Sequence, residues 1–235
     1  MVGSLGRMSQ RLIFPDAAAA TDALTFAGRA ARVGDGAVRL RAAQGTLTMT
    51  SAPFAPRGLF DSTPTVLAMR VLPVDPELEC DIAIEAAELS TVADDAAQLQ
   101  LPDVGLSPSW TGVSPPRTGW AQAGVVPASV LAARAQWGIA AVAESIPQNP
   151  GEDAVRAVRA AVWGVPDDAL GGLPLGVAFA AFTLGFIVGE EDAAVRTAGS
   201  WTRLTLARGH VILRGPARIG MTAVRETRAA AGDET

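Results

Sequence analysis

Apolar and polar positions alternate along the first hundred residues in two rhythms, one helical and one extended. Residues 11–14 (RLIF) are a short apolar run closed by Pro15. Asp16 suits the N-cap of a helix reaching about Val33, with Ala20, Leu24, Ala27 and Ala31 on one face. Asp22 lies early and Arg29 and Arg32 late, as the helix dipole favours, and Gly34 is a natural stop. The period then drops to two. Residues 37–42 and 46–51 alternate about Ala43-Gln44-Gly45, with Val38, Leu40, Leu47 and Met49 on one side and Arg39 and Arg41 on the other. This predicts a half-buried hairpin. Residues 65–74 are almost continuously apolar, as a central strand would be. Residues 80–86 alternate again: Cys80, Ile82, Ile84 and Ala86 point inward, Asp81 and Glu85 outward. A last short strand is expected at 98–101.

Residues 103–124 are rich in proline and glycine and read as a linker, pinned to the surface by Trp110 and Trp120. Beyond it the rhythm is helical. Pro127 opens a helix through Glu144 that is apolar around most of its circumference and is expected to be largely buried. Residues 152–163 are amphipathic, with Val155, Val158 and Val162 together. Residues 174–188 carry Phe179, Phe182 and Phe186 and are expected at the centre of the core. A hairpin with Arg208-Gly209 at its turn ends the folded chain. The pattern therefore predicts an α+β protein: a mostly antiparallel N-terminal sheet with one packed helix (11–102), the linker, and a helical half ending in a β-hairpin (125–222). Residues 1–10 and 223–235 are expected to be flexible.

Composition narrows the chemistry more than it suggests any. All 19 basic residues are arginine; there is no tyrosine, and His210 and Cys80 stand alone. Codon usage in a high-GC genome, or selection against lysine modification, accounts for such a bias. Without lysine there is no Schiff base, no pyridoxal-phosphate linkage and no P-loop lysine. One histidine and one cysteine cannot build a Cys/His zinc site or an internal disulfide. No cofactor, metal site or catalytic residue is therefore assigned. Residues 1–10 lack the apolar core of a secretory signal, and the cysteine usage fits a reducing compartment, so a cytoplasmic setting is expected. The uncharged stretch 169–188 is the one membrane suspect. A helix opening at Pro174 would run about 15 residues, or roughly 22 Å, against a hydrocarbon core of about 30 Å. Acidic flanks argue against insertion as well.

Three strings, RLIFPDAAAATDALTF (11–26), PPRTGW (115–120) and TLGFI (183–187), resemble uncharacterised proteins of high-GC actinobacteria. None is a catalytic signature. The resemblance implies a bacterial cytoplasmic protein and no particular activity.

Charge is uneven. Residues 71–110 hold nine acids and no arginine; residues 196–228 hold seven arginines and one acid, Glu226. Either the two halves pair internally or the arginines meet an anionic partner. The terminal hairpin is the best-defined candidate site. With Leu206 opposite Val211 and Leu204 opposite Leu213, one face is apolar. The other then sets Arg203 opposite Arg214, with His210 near the turn. Opposed like charges destabilise a sheet unless an anion lies beside them. Arg203, Arg208, His210, Arg214 and Arg218 are thus read as a surface for an acidic protein partner. The competing readings are a carboxylate-dependent hydrolase or lyase, for which Glu79, Asp81 and Glu85 are candidates, and a nucleic-acid-binding accessory protein. A net charge of −5 opposes the last of these. Cys80 is read as a small core residue, and oligomeric state is left open.

Overall fold

The computed structural model describes residues 11–58, 61 and 63–215. Arg218 and the ends expected to be flexible, 1–10 and 223–235, lie outside the described residues. The chain begins with β1 (Arg11–Ile13). Asp16 then caps α1 (Ala17–Ala30), its carboxylate accepting the Ala19 N–H at 2.8 Å. The helix buries Ala20, Ala23, Phe26, Ala27 and Ala30. That stripe is rotated from the expected one, leaving Leu24 half-buried, because Phe26 stacks on Phe186 with ring centroids 6.1 Å apart.

The hairpin of β2 (Ala37–Ala43) and β3 (Thr46–Phe54) turns over Gln44-Gly45, at φ 52° and 74°. Two positive φ values in a two-residue loop match the right-handed twist of its strands. β4 (Thr65–Pro73) and β5 (Cys80–Glu85) follow, then β6 (Ser90–Val92) and β7 (Asp95–Gln100), which pair with β1 in a small separate sheet. The region read as a linker is only partly loop. A 3-10 turn spans Ser109–Gly112, and β8 (Ala121–Pro127) is already strand from Ala121.

The second half continues with α2 (Ala128–Ser145), α3 (Glu152–Trp163), a two-residue pair of β9 (Pro166–Asp167) and β10 (Leu173–Pro174), and α4 (Gly176–Thr183). Three strands end it: β11 (Asp192–Ala198), β12 (Trp201–Leu206) and β13 (Gly209–Arg214). β11 was not anticipated. Eight strands form one antiparallel sheet in the order β5-β2-β3-β4-β13-β12-β11-β8. The join is β4 with β13, where Met69 lies opposite His210 and Leu67 opposite Ile212. The protein is thus α+β, and its terminal hairpin lies inside the sheet that the first half begins.

One face of this sheet carries Leu40, Leu47, Met49, Val66, Leu204 and Val211, all fully buried beneath α1 and α4. Arg29 crosses between those helices to donate to the Leu184 carbonyl at 3.0 Å. Phe186 and Phe179 are buried, but Phe182 is 37 % exposed, so only two of the three phenylalanines serve the core. α2 is far less buried than its composition suggests. It packs on α4 and α3 and buries Leu131, Ala135 and Gly138, leaving Trp137 and Ile139 about half in solvent. Alanine explains the misreading: it is apolar in sequence, yet buries too little area to fix which way a helix faces. No helix among the described residues is long and apolar enough to cross a membrane.

Candidate functional site

The other face of the sheet is built differently. Trp110, Trp201, Ile212, Leu67, Ala37 and Ala52 form a second, smaller apolar cluster, with Trp120 and Met69 packed against it. The segment 103–120 lies across it. Leu106 N–H donates to the Ala83 carbonyl at 2.7 Å, Trp110 Nε1 donates to Asp35 at 2.8 Å, and Arg39 Nη1 donates to the Thr111 carbonyl at 2.6 Å. Both linker tryptophans are therefore anchored, as their sequence context suggested.

The polar part of this face centres on the last three strands. The turn of the terminal hairpin is Ala207-Arg208, so Leu206 faces Gly209, Leu204 faces Val211 and Arg203 faces Ile212. This differs by two residues from the register read from the sequence. A shift of two leaves each side chain on its face, so the leucines still turn inward while Arg203, Thr205, His210 and Arg214 still turn outward. It does change who meets whom. Arg214 lies opposite Trp201 and stacks over its ring at 5.7 Å. The like-charge pair exists, but on the other side of β12: Arg203 is directly opposite Arg196 of β11.

Arg196 is the residue that the sequence reading missed. The signal was present in Ala198-Gly199-Ser200-Trp201. A two-residue Gly-Ser loop between alternating segments marks a hairpin, and Gly199 adopts φ 59° there. Arg203 lies over the Trp120 ring at 4.5 Å, and its Nε is buried with no hydrogen-bond partner among the described residues. Burial, then the Arg196 charge, lowers the Arg203 guanidinium below its ordinary value. His210 follows the same logic. Burial first, then Arg203, Arg70 and Arg196, hold its imidazole below the usual 6.5, with Nδ1 3.1 Å from Thr205 Oγ1. Neither Arg196 nor Arg203 pairs with a carboxylate among the described residues. Asp192, on the same side of β11, is four residues from Arg196, roughly 13 Å along the strand.

The other sequence candidates fall elsewhere. Arg208 is exposed in the hairpin turn, which Arg70 and Glu191 hold through the Arg208 carbonyl and the Ala207 N–H. Asp81 is engaged by Arg39 at 2.7 Å and approached by Arg41 at 4.0 Å, and this pairing holds its carboxyl low. Cys80 is half-buried, and burial raises its thiol, so it is not a ready nucleophile. Among the described residues, no group of three or more His, Cys, Asp or Glu could hold a metal ion.

A cleft of about 410 Å³ opens where β3 meets α3, lined among others by Asp35, Arg57, Asp61, Trp110, Arg156 and Arg159. Two of its carboxylates are used locally. Asp35 accepts from Ala37 N–H and Trp110, and Asp61 accepts from the Arg57 and Thr63 N–H groups, both at 2.9 Å. The Thr63 hydroxyl, with those backbone donors, keeps the Asp61 carboxyl below its ordinary range. Acid catalysis by carboxylates alone needs the opposite shift.

Residues 8–112 match the model of a domain of unknown function (DUF8010), and residues 115–218 match that of a second domain of unknown function (DUF8185). No curated protein matches the chain. Similar solved structures include a DnaN sliding clamp (DNA polymerase III subunit beta) from Bartonella birtlesii bound to griselimycin. It is 13 % identical, with a TM-score of 0.49 over 88 % of this chain. DNA polymerase III subunit beta from Borrelia burgdorferi is 8 % identical, with a TM-score of 0.47 over 88 % of this chain. The chain spans 66 % of the length of each, just under two thirds.

Proposed function

We propose that this is a non-enzymatic interaction protein whose outer sheet face binds an acidic surface on a partner protein. The observation that carries the proposal is the opposition of Arg196 and Arg203 on adjacent strands with no carboxylate paired to either among the described residues. Two guanidiniums with Cβ atoms about 5 Å apart repel each other, and an anion between them relieves that repulsion. Half-buried His210 and the Trp120 ring border Arg203, which favours a carboxylate that gives up its water on docking.

The test is titration of the full chain with poly-L-glutamate at low salt. Wild type is expected to bind, and the Arg196→Gln/Arg203→Gln double variant to lose at least tenfold in affinity while remaining folded. Equal affinity in a folded double variant overturns the proposal. Duplex DNA in the same assay separates the nucleic-acid reading, which requires affinity that falls steeply with salt.

A further inference from the structure

β8 is the last strand of the eight-stranded sheet, and residues 121–125 are all exposed. Its ladder to β11 shows which of its peptide groups point away from that strand, without a partner among the described residues. Ala128 N–H donates to the Glu191 carbonyl at 2.8 Å, one step beyond the pair Pro127–Asp192. Antiparallel bonding alternates, so Val126 and Gly124 also turn their polar groups toward β11, and Val125 turns its N–H and C=O away from the sheet. The Val125 side chain, 57 % exposed, lies on the same face as Arg196 and Arg203.

Edge strands are usually protected by charge, proline or a covering segment. β8 has no charged residue, and its first proline is Pro127. Its one irregularity is the bulge between the Gly124 and Gln122 pairings, which limits a regular added ladder to a few residues.

From these observations we infer that β8 receives a short extended segment of the acidic partner as a ninth strand, with its acidic side chains on the arginine face. This rests on the function proposed above and specifies how the partner is held. A strand added beside β8 lies two strand spacings from β11, roughly 10 Å, which an extended arginine and an extended glutamate together span. Every second residue of the segment then points toward Arg196, while the intervening residues turn to the other face. Asp192, opposite Pro127, sets the polarity of the site: it disfavours acids at that end and leaves the Ala121 end for them. Val125 between the two ends offers an apolar contact.

The probe is a ten-residue peptide of alternating Glu and Thr, and the readout is amide hydrogen exchange in the full chain. Bound probe is expected to slow exchange at Val125 at least tenfold. Val125→Pro, which removes the outward N–H, is expected to weaken the peptide at least tenfold without disturbing the ladder to β11. A peptide N-methylated at alternate residues keeps its charge, cannot pair along one edge, and should bind at least tenfold more weakly to the unaltered protein. This second arm decides the matter if the proline variant does not fold. Should the N-methylated peptide bind as well as its parent while the double arginine variant binds neither, the inference falls and the acidic-face function stands. Should the arginine variant bind the parent peptide as wild type does, the function itself falls. A Val125 amide already protected without probe, by a second copy or by another part of the chain, also overturns the inference.

Discussion

Arg196 and Arg203 form a contact whose local energetics are unfavourable. Cross-strand like charges destabilise, and Arg203 also buries an Nε with no partner among the described residues. Replacing Arg196 with threonine, a good strand residue, should therefore raise stability by about 0.2–1 kcal/mol while weakening poly-L-glutamate binding. Chemical denaturation and titration of the same variant check both halves. A variant that loses stability would mean that the pair is held by something other than its neighbours. His210 supplies a second test. Its folded pKa is depressed, so its neutral form contributes stability that is fully present above about pH 6.5 and is lost as pH falls through the folded value. Wild type should lose stability between pH 7.5 and pH 5 more steeply than His210→Gln. Burial is the main cause of the depression, and the charges of Arg203 and Arg196 add to it. An acidic ligand between those arginines offsets their part, so the imidazole resonances should titrate at higher pH when poly-L-glutamate is bound.

At the scale of elements, the strongest constraint is where small residues admit large ones. Gly138 on α2 meets Trp163 at the end of α3, and a Cβ there would lie 2.2 Å from the indole. Gly138→Ala should gain helix propensity of about 1 kcal/mol yet lose more through displacement of the buried ring, a net cost of roughly 1–3 kcal/mol by denaturant unfolding. Near-UV circular dichroism should report movement of Trp163; an unchanged spectrum and unchanged stability would count against this packing. The elements differ in how clearly their residues announce them. α1 announces itself through Asp16, and α3 through its acidic first turn and valine spacing. The β2–β3 turn is written in Gln44-Gly45. β8 and β11 are obscured because alanine, glycine and threonine carry half of their positions, and these fix neither face nor period.

Across the whole molecule, the two family-matched segments share one core. Phe26 of α1 stacks on Phe186, which follows α4, and β4 bonds to β13. Phe186 is 1 % exposed, so Phe186→Ala should cost about 3–5 kcal/mol. Because the contact spans both segments, tryptophan fluorescence and far-UV circular dichroism should still report a single coincident transition; two separated transitions would show independent units. The shared sheet also separates two of the charged groups: β5, which carries Asp81 and Glu85, lies five strand spacings from β12, roughly 24 Å, so these two acids do not neutralise Arg203.

The sequence by itself determined local matters: which residues cap, turn or alternate, that the leucines of the last hairpin face inward, and that lysine and Cys/His zinc chemistry are ruled out. These depend on neighbours a few residues away, whose spacing is fixed by backbone geometry. Only the tertiary structure decided which strand lies beside which. Hydrogen-bonding edges are alike along every strand, so the sequence of β12 alone did not specify that Arg203 would face Ile212 on one side and Arg196 on the other. The two-residue turn and the packing of β11 made that choice, and with it they set the position of the arginine pair.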